Sequence, residues 1–183
     1  AYRGTLRTSN PAVRLVDAML TELDGDLEGA LGTLKAVRAE IGDGEFARIR
    51  GFRTLGRLLF LTYEMAPLAR FERLNEAQES LEKAVADVPA DSGAWANLAE
   101  THQRKHDRTP NPEQRQEQLD AAVACARRSL AIDPREAVAQ GALVVAQLSQ
   151  LLETAEPDRR TALAAGLEKE LGRLEELMPD SPV

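Results

Sequence analysis

Six of the nine prolines fall into two combs of equal spacing. Pro67, Pro112 and Pro157 lie 45 residues apart, and so do Pro89, Pro134 and Pro179. Proline is tolerated in the first turn of a helix, where its missing N–H would be unpaired anyway, and just past a helix end it stops continuation. Each pair (67 and 89, 112 and 134, 157 and 179) therefore brackets a helix of about 20 residues. The side chains inside the brackets agree. Ala77, Leu81 and Ala84 precede Pro89; Ala122, Ala126 and Ser129 precede Pro134; Leu167, Leu171 and Leu174 precede Pro179. These steps keep small or apolar residues on one helical stripe. A second amphipathic helix sits upstream of each bracket, marked by Phe52, Leu55, Gly56 and Leu59, by Trp95, Leu98 and Ala99, and by Leu143, Val144 and Leu148. Asn111, and Asp91 or Ser92, are suited to cap helix starts.

A shorter unit precedes these three. Its first helix contains Val13, Val16 and Leu20, the turn is Gly25-Asp26, and its second helix runs through Leu27, Ala30, Leu34 and Val37 to Gly42-Asp43-Gly44. The expected hairpins are therefore about 10–44, 45–91, 92–136 and 137–181, within a single domain over 1–183. Strict register would pair Trp95 with Arg50 where the apolar pattern wants Phe52, so the loop inside the second hairpin must absorb two residues.

Composition supports this reading. Alanine (29) and leucine (26) dominate and only seven residues are aromatic, a helix-forming composition that argues against an all-β fold. The net charge of −7 arises after residue 60, and no basic run is interleaved with aromatics, which argues against nucleic-acid binding. No apolar run approaches the ~18 residues of a membrane span, and the first residues do not form a signal peptide. The lone Cys125 permits no internal disulfide and points to a reducing, cytoplasmic compartment. Nineteen arginines against four lysines suggest a GC-rich, bacterial coding bias. A start without methionine leaves open a trimmed chain or a piece of a longer protein.

Taken together, Trp95-Ala-Asn-Leu98-Ala99, Phe52-Arg-Thr-Leu55-Gly56, the Gly25-Asp26-Leu27-Glu28-Gly-Ala30 turn and the ARRSLAIDP segment ending at Pro134 resemble the tetratricopeptide repeat over residues 10 to 180. The family repeats every 34 residues, roughly, so these units are about eleven longer, and the extra residues are expected between the helices. The segment KHDRTPNPEQRQEQLDAAV is similar to longer variants from bacterial multidomain signalling proteins. The resemblance implies an all-α, right-handed superhelix of about four stacked hairpins whose first helices line a concave protein-binding groove. Carried over residue by residue, the groove takes Arg53 and Arg57, then Asn97, Glu100 and Arg104, then Val138, Val145 and Leu148. The helix AVAQGALVVAQLSQLL is apolar on nearly every side, so it is covered on both faces or presents an apolar floor. A partner with an apolar anchor and an acidic or carboxylate flank suits that floor together with Arg53 and Arg57.

Other chemistry is weakly marked. His102 and His106 lie four apart as in two-histidine metal sites, but HQRKH lacks the glutamate of a HExxH site, a third ligand would have to come from Asp107 or a neighbouring hairpin, and the segment reads as a polar helix end running into the inserted loop. Asp24, Asp26 and Glu28 begin like a calcium loop that then meets Lys35, a cation where a bidentate glutamate is needed. Trp95, Phe52 and Cys125 read as core. With no phosphate loop, CxxC pair or nucleophile elbow, the sequence points to a non-catalytic interaction scaffold without metal or cofactor, in a regulatory, signalling or assembly role. The alternatives are a self-associating module, a homodimer held by the stripe Leu163, Leu167, Leu171, Leu174 and Met178, and an all-α enzyme or metal protein using the histidines.

Overall fold

The computed structural model describes residues 10–65 and 71–178. Among the described residues eight helices follow one another: α1 (Pro11–Leu23), α2 (Leu27–Arg48), α3 (Gly51–Met65), α4 (Glu72–Asp87), α5 (Ser92–Arg108), α6 (Pro112–Ile132), α7 (Ala137–Glu153) and α8 (Pro157–Leu177). No strand occurs among the described residues. They divide into two compact units, one ending at Pro89 and one beginning at Ala90.

The prolines do what their chemistry dictates. Pro112 and Pro157 are the first residues of α6 and α8, and Pro89 and Pro134 lie just beyond α4 and α6. Pro67 and Pro179 lie outside the described residues. Helix starts are sealed by side chains that accept the first free N–H groups: Asn10 from Ala12, Asp26 from Gly29, Asp91 from Ala94, and Asn111 from Glu113 and Gln114.

In the first unit α1 packs on α2, α2 on α3, and α3 on α4. The core holds Ala30, Leu34, Val37, Leu55, Leu59, Ala77 and Leu81. Gly56 allows the closest approach: a Cβ added there would stand 2.6 Å from Leu81 Cγ and 3.2 Å from the Ala77 carbonyl oxygen. Phe52 is buried and meets Phe46 edge to face at 5.0 Å between ring centroids. The Arg38 guanidinium and the Lys83 ammonium lie 5.1 and 5.3 Å from the Phe52 ring centroid.

One expectation for this unit is corrected. α2 does not end at Gly42-Asp43-Gly44; Gly42 breaks the helical geometry with φ 75°, and helix then resumes to Arg48, carrying the fully buried Phe46. Val16 and Leu20 do not enter the core. Both are 53% exposed, because α1 turns Ala18 into the core instead.

Arg38 and Lys83 also hold Asp43. Arg38 donates to its carboxylate at 2.7 and 3.1 Å, and Lys83 lies 3.3 Å away. The hydrogen bonds from Arg38 hold the Asp43 carboxyl below the usual carboxylate range, with a smaller push from Lys83 and partial opposition from desolvation. A depressed pKa contributes stability above the ordinary carboxylate value that is lost as pH falls through the depressed one. Carboxyl-carbon NMR titration is expected to find Asp43 titrating below the ordinary aspartate value, and Arg38→Ala is expected to raise its midpoint toward that value.

In the second unit α5 packs on α6 and α7, α6 on α7, and α7 on α8. Leu98, Ala99, Leu119, Ala122, Ala126, Ala139, Leu143 and Ala146 form the core. The Ser129 hydroxyl donates to the Ser92 carbonyl at 2.8 Å, tying the end of α6 to the start of α5. The extra length of the repeat is helical and does not form an inserted loop: α5 has 17 residues and α6 has 21, with only residues 109–111 between them. The segment around His102 and His106 stays helical because it continues to bury one face, through Thr101, His102, Gln103 and His106. Trp95 is half-buried, a shallower place than the core position read from the sequence.

Candidate functional site

Six of the eight expected groove residues come together in the second unit, on the packed helices α5 and α7. Helix α7 has two apolar sides. One contributes Ala139, Ala142, Leu143 and Ala146 to the core; the other leaves Val138, Val145 and Leu148 exposed at 42%, 43% and 42%. Leu152, which the sequence reading did not select, extends this stripe at 73% exposure. The steps 138, 145, 148, 152, with Gly141 completing the run, follow one side of a helix. A Cβ at Gly141 would meet nothing within 4 Å, so the stripe is open along its length. Leu152 was legible in principle, four residues after Leu148 in the same pattern.

Helix α5 supplies a polar counterpart. Glu100 and Val145 are 45 residues apart and occupy equivalent places in successive hairpins, as do Asp107 and Leu152. Asn97, Glu100 and Arg104 are all half-buried. The Arg104 guanidinium lies 3.8 Å from the Asp107 carboxylate, and the Asn97 carbonyl accepts the Thr101 hydroxyl at 2.8 Å. One helix thus offers charge and amide groups beside the uncharged stripe of the next.

The other two residues, Arg53 and Arg57, belong to the first unit and are half-buried on α3. Arg57 pairs with Glu22 of α1 at 2.5 Å, and Glu22 is only 9% exposed at its side chain. That ion pair fastens the first hairpin to α3.

The histidines are buried and do not form the polar helix end expected from their sequence. His102 Nδ1 lies 2.8 Å from Gln118 Oε1 on α6. His106 Nδ1 lies 3.1 Å from Asp107 Oδ1, and its Nε2 lies 3.2 Å from Glu153 Oε1 on α7. Arg115 Nε is 3.3 Å from that same Glu153 oxygen. This polar layer joins α5, α6 and α7 and gives the buried imidazoles polar partners, while Arg115 Nε has the Glu153 ion pair but no hydrogen bond. Among the described residues no group of three or more His, Cys, Asp or Glu side chains is placed to hold a metal ion. The acidic run at the first turn has structural uses: Asp26 caps α2, Glu28 binds Arg73 at 2.8 and 3.0 Å, and Lys35 binds Glu76 at 2.6 Å. Cys125 is buried. No helix among the described residues is long and apolar enough to cross a membrane.

No protein-family model matches the sequence, and no curated protein matches it. Solved structures do. MamA aligns with a TM-score of 0.64 at 17% identity, over 91% of this chain and 80% of its own. TTC0263, described as a thermophilic TPR protein of Thermus thermophilus, aligns with a TM-score of 0.62 at 18% identity, over 92% of this chain and 81% of its own. The human IFIT1 dimer with PPP-AAAA aligns with a TM-score of 0.67 at 14% identity, over 93% of this chain but only 34% of its own. At these identities the similarity concerns the fold. The fold is an all-α helical repeat of the tetratricopeptide type, as the resemblance of the Phe52 and Trp95 segments implies.

Proposed function

We propose that the chain is a non-catalytic protein-interaction module, and that its second unit holds a segment of a partner protein across α5 and α7. The observation that carries this reading is the open stripe Val138, Val145, Leu148 and Leu152. A row of large apolar side chains facing water is costly on a surface and is ordinarily kept where a partner covers it. The partner segment places apolar anchors on the stripe and turns its polar side to Asn97, Glu100 and Arg104, with Arg104 positioned to meet an acidic flank. The helical-repeat neighbours support an interaction scaffold as the general class. The C-terminal stripe favours packing within the chain over self-association: Leu167 is buried, Leu163, Leu171 and Leu174 are half-buried, only Met178 of the five is exposed, and the exposed side of α8 carries Glu168, Lys169 and Arg173.

A peptide library selected on the intact chain tests the proposal. Selected peptides are expected to share apolar residues at helical or extended spacing beside an acidic residue. The double substitution of Val145→Glu and Leu148→Glu is expected to weaken them by roughly 100-fold, about ten-fold for each anchor lost. Both side chains point to solvent, so far-ultraviolet circular dichroism should be unchanged. Peptides that bind the doubly substituted chain as tightly as the original would overturn the assignment.

A further inference from the structure

The second unit carries another concavity, formed by the α6–α7 turn and the end of α8. It has a volume of about 510 Å³ and is lined by Leu130, Pro134, Arg135, Gln140, Arg173 and Glu176, with Leu177 beside them. That size falls within the range of small-ligand sites. Leu130 and Leu177 are half-buried and give it an apolar surface.

Its charges are unequal in availability. Arg173 is already neutralised, lying 3.1 and 3.3 Å from the two carboxylate oxygens of Glu170 on its own helix. Gln140, which is 2% exposed, fixes that carboxylate: its amide donates to the Glu170 carbonyl at 2.8 Å and to Glu170 Oε2 at 3.0 Å. The Arg135 backbone N–H is used by Asp133, but the Arg135 guanidinium and the Glu176 carboxylate have no hydrogen-bond or ion-pair partner among the described residues. No ion pair joins them, and both line the same cleft. One uncommitted cation, one uncommitted anion and an apolar surface between helices match a molecule carrying both charges on an apolar body.

We propose that this cleft binds a small apolar zwitterion, with its carboxylate on Arg135, its ammonium on Glu176 and its side chain against Leu130 and Leu177. Free apolar amino acids and short apolar peptides share this chemistry. Guanidinium binds carboxylate through two parallel N–H donors, and a carboxylate accepts from ammonium, so each end is read by a different side chain. The site is separate from the α5–α7 face and goes beyond the function proposed above.

Calorimetric titration of the intact chain with leucine, leucyl-leucine, leucyl-leucine amide and N-acetyl-leucyl-leucine tests it. Leucine, leucyl-leucine or both are expected to bind, which tells the free amino acid from the short peptide as the source. Blocking either end of the better ligand is expected to weaken it roughly ten-fold. Arg135→Ala should bind the free acid and the amide alike while still preferring a free amine. Glu176→Gln should show the reverse pattern. Both residues are exposed, so neither change should disturb folding, and Val145→Glu should leave this binding intact. The proposal fails if neither leucine nor leucyl-leucine binds at about 10 mM, or if both variants keep the parent's discrimination at both ends.

Discussion

Replacing Phe52 by alanine is expected to cost the first unit about 3–5 kcal/mol, the usual range for emptying a fully buried aromatic site. The ring is only 3% exposed, contacts Phe46 edge to face, and lies near the charged ends of Arg38 and Lys83. Its loss would leave a cavity, remove the aromatic pair and strip both cations of the π face beneath them. The corresponding change in the second unit, Trp95→Ala, should cost less even though tryptophan is larger, because Trp95 is half-buried and less apolar area returns to water. Native-state hydrogen exchange resolves the two units by their own amides. Phe52→Ala should speed exchange across α3 and α4 more than Trp95→Ala speeds it across α5 and α6. Equal losses would show that the two places carry equal weight despite their different burial.

The second large effect is expected at Gly56. An added methyl group would collide with Leu81, which is fully buried, and would press on the Ala77 carbonyl, a backbone atom that cannot swing aside. Gly56→Ala should therefore destabilise the first unit by about 1–3 kcal/mol, the ordinary penalty of overpacking a closed core. Gly141→Ala makes the opposite test. That position is helical with open space above it, so alanine should stabilise the second unit by about 0.5–1 kcal/mol through better helix propensity alone. Urea unfolding followed unit by unit through hydrogen exchange would show opposite signs for two chemically identical substitutions. The second hairpin pair already illustrates the point: Ala99, fully buried, stands where Gly56 stands in the first, so α5 and α6 meet at a distance that admits a methyl group.

Much of the helical layout was legible because it rests on local chemistry. Proline lacks a donor wherever it sits, and Asn111 or Asp91 accepts the first free N–H groups of a helix with no help from distant residues. The stripe of Ala77, Leu81 and Ala84 was legible for a related reason, since a one-sided apolar helix has only one face to bury. Misreadings concentrate where the outcome depends on what else packs nearby. Val16 and Leu20 of α1 stay exposed, since burial requires a neighbour on that side and α1 buries Ala18 instead. His102 and His106 look like residues for a solvated helix end. They become buried because α6 and α7 bring Gln118 and Glu153 within hydrogen-bond reach, which offsets the cost of removing imidazoles from water.

The candidate surfaces divide in the same way. Helix α7 announces in sequence that it is apolar on more sides than one neighbour can cover, and Val138, Val145 and Leu148 are recognisable on it. Which side stays open was settled by α5, α6 and α8 closing around Ala139, Leu143 and Ala146. Arg57 reads as a free cation until α1 delivers Glu22 to it. Arg135 and Glu176 are 41 positions apart and unremarkable as sequence; only the meeting of the α6–α7 turn with the end of α8 puts them on one cleft. The sequence by itself determined the helix starts and the stops marked by caps and prolines, because these act within a few residues, but it did not set the end of α2 or the length of α5. Tertiary structure alone decided which apolar faces are covered and which charges are spent, because burial and ion pairing belong to pairs of elements, and a residue's partner is not written beside it.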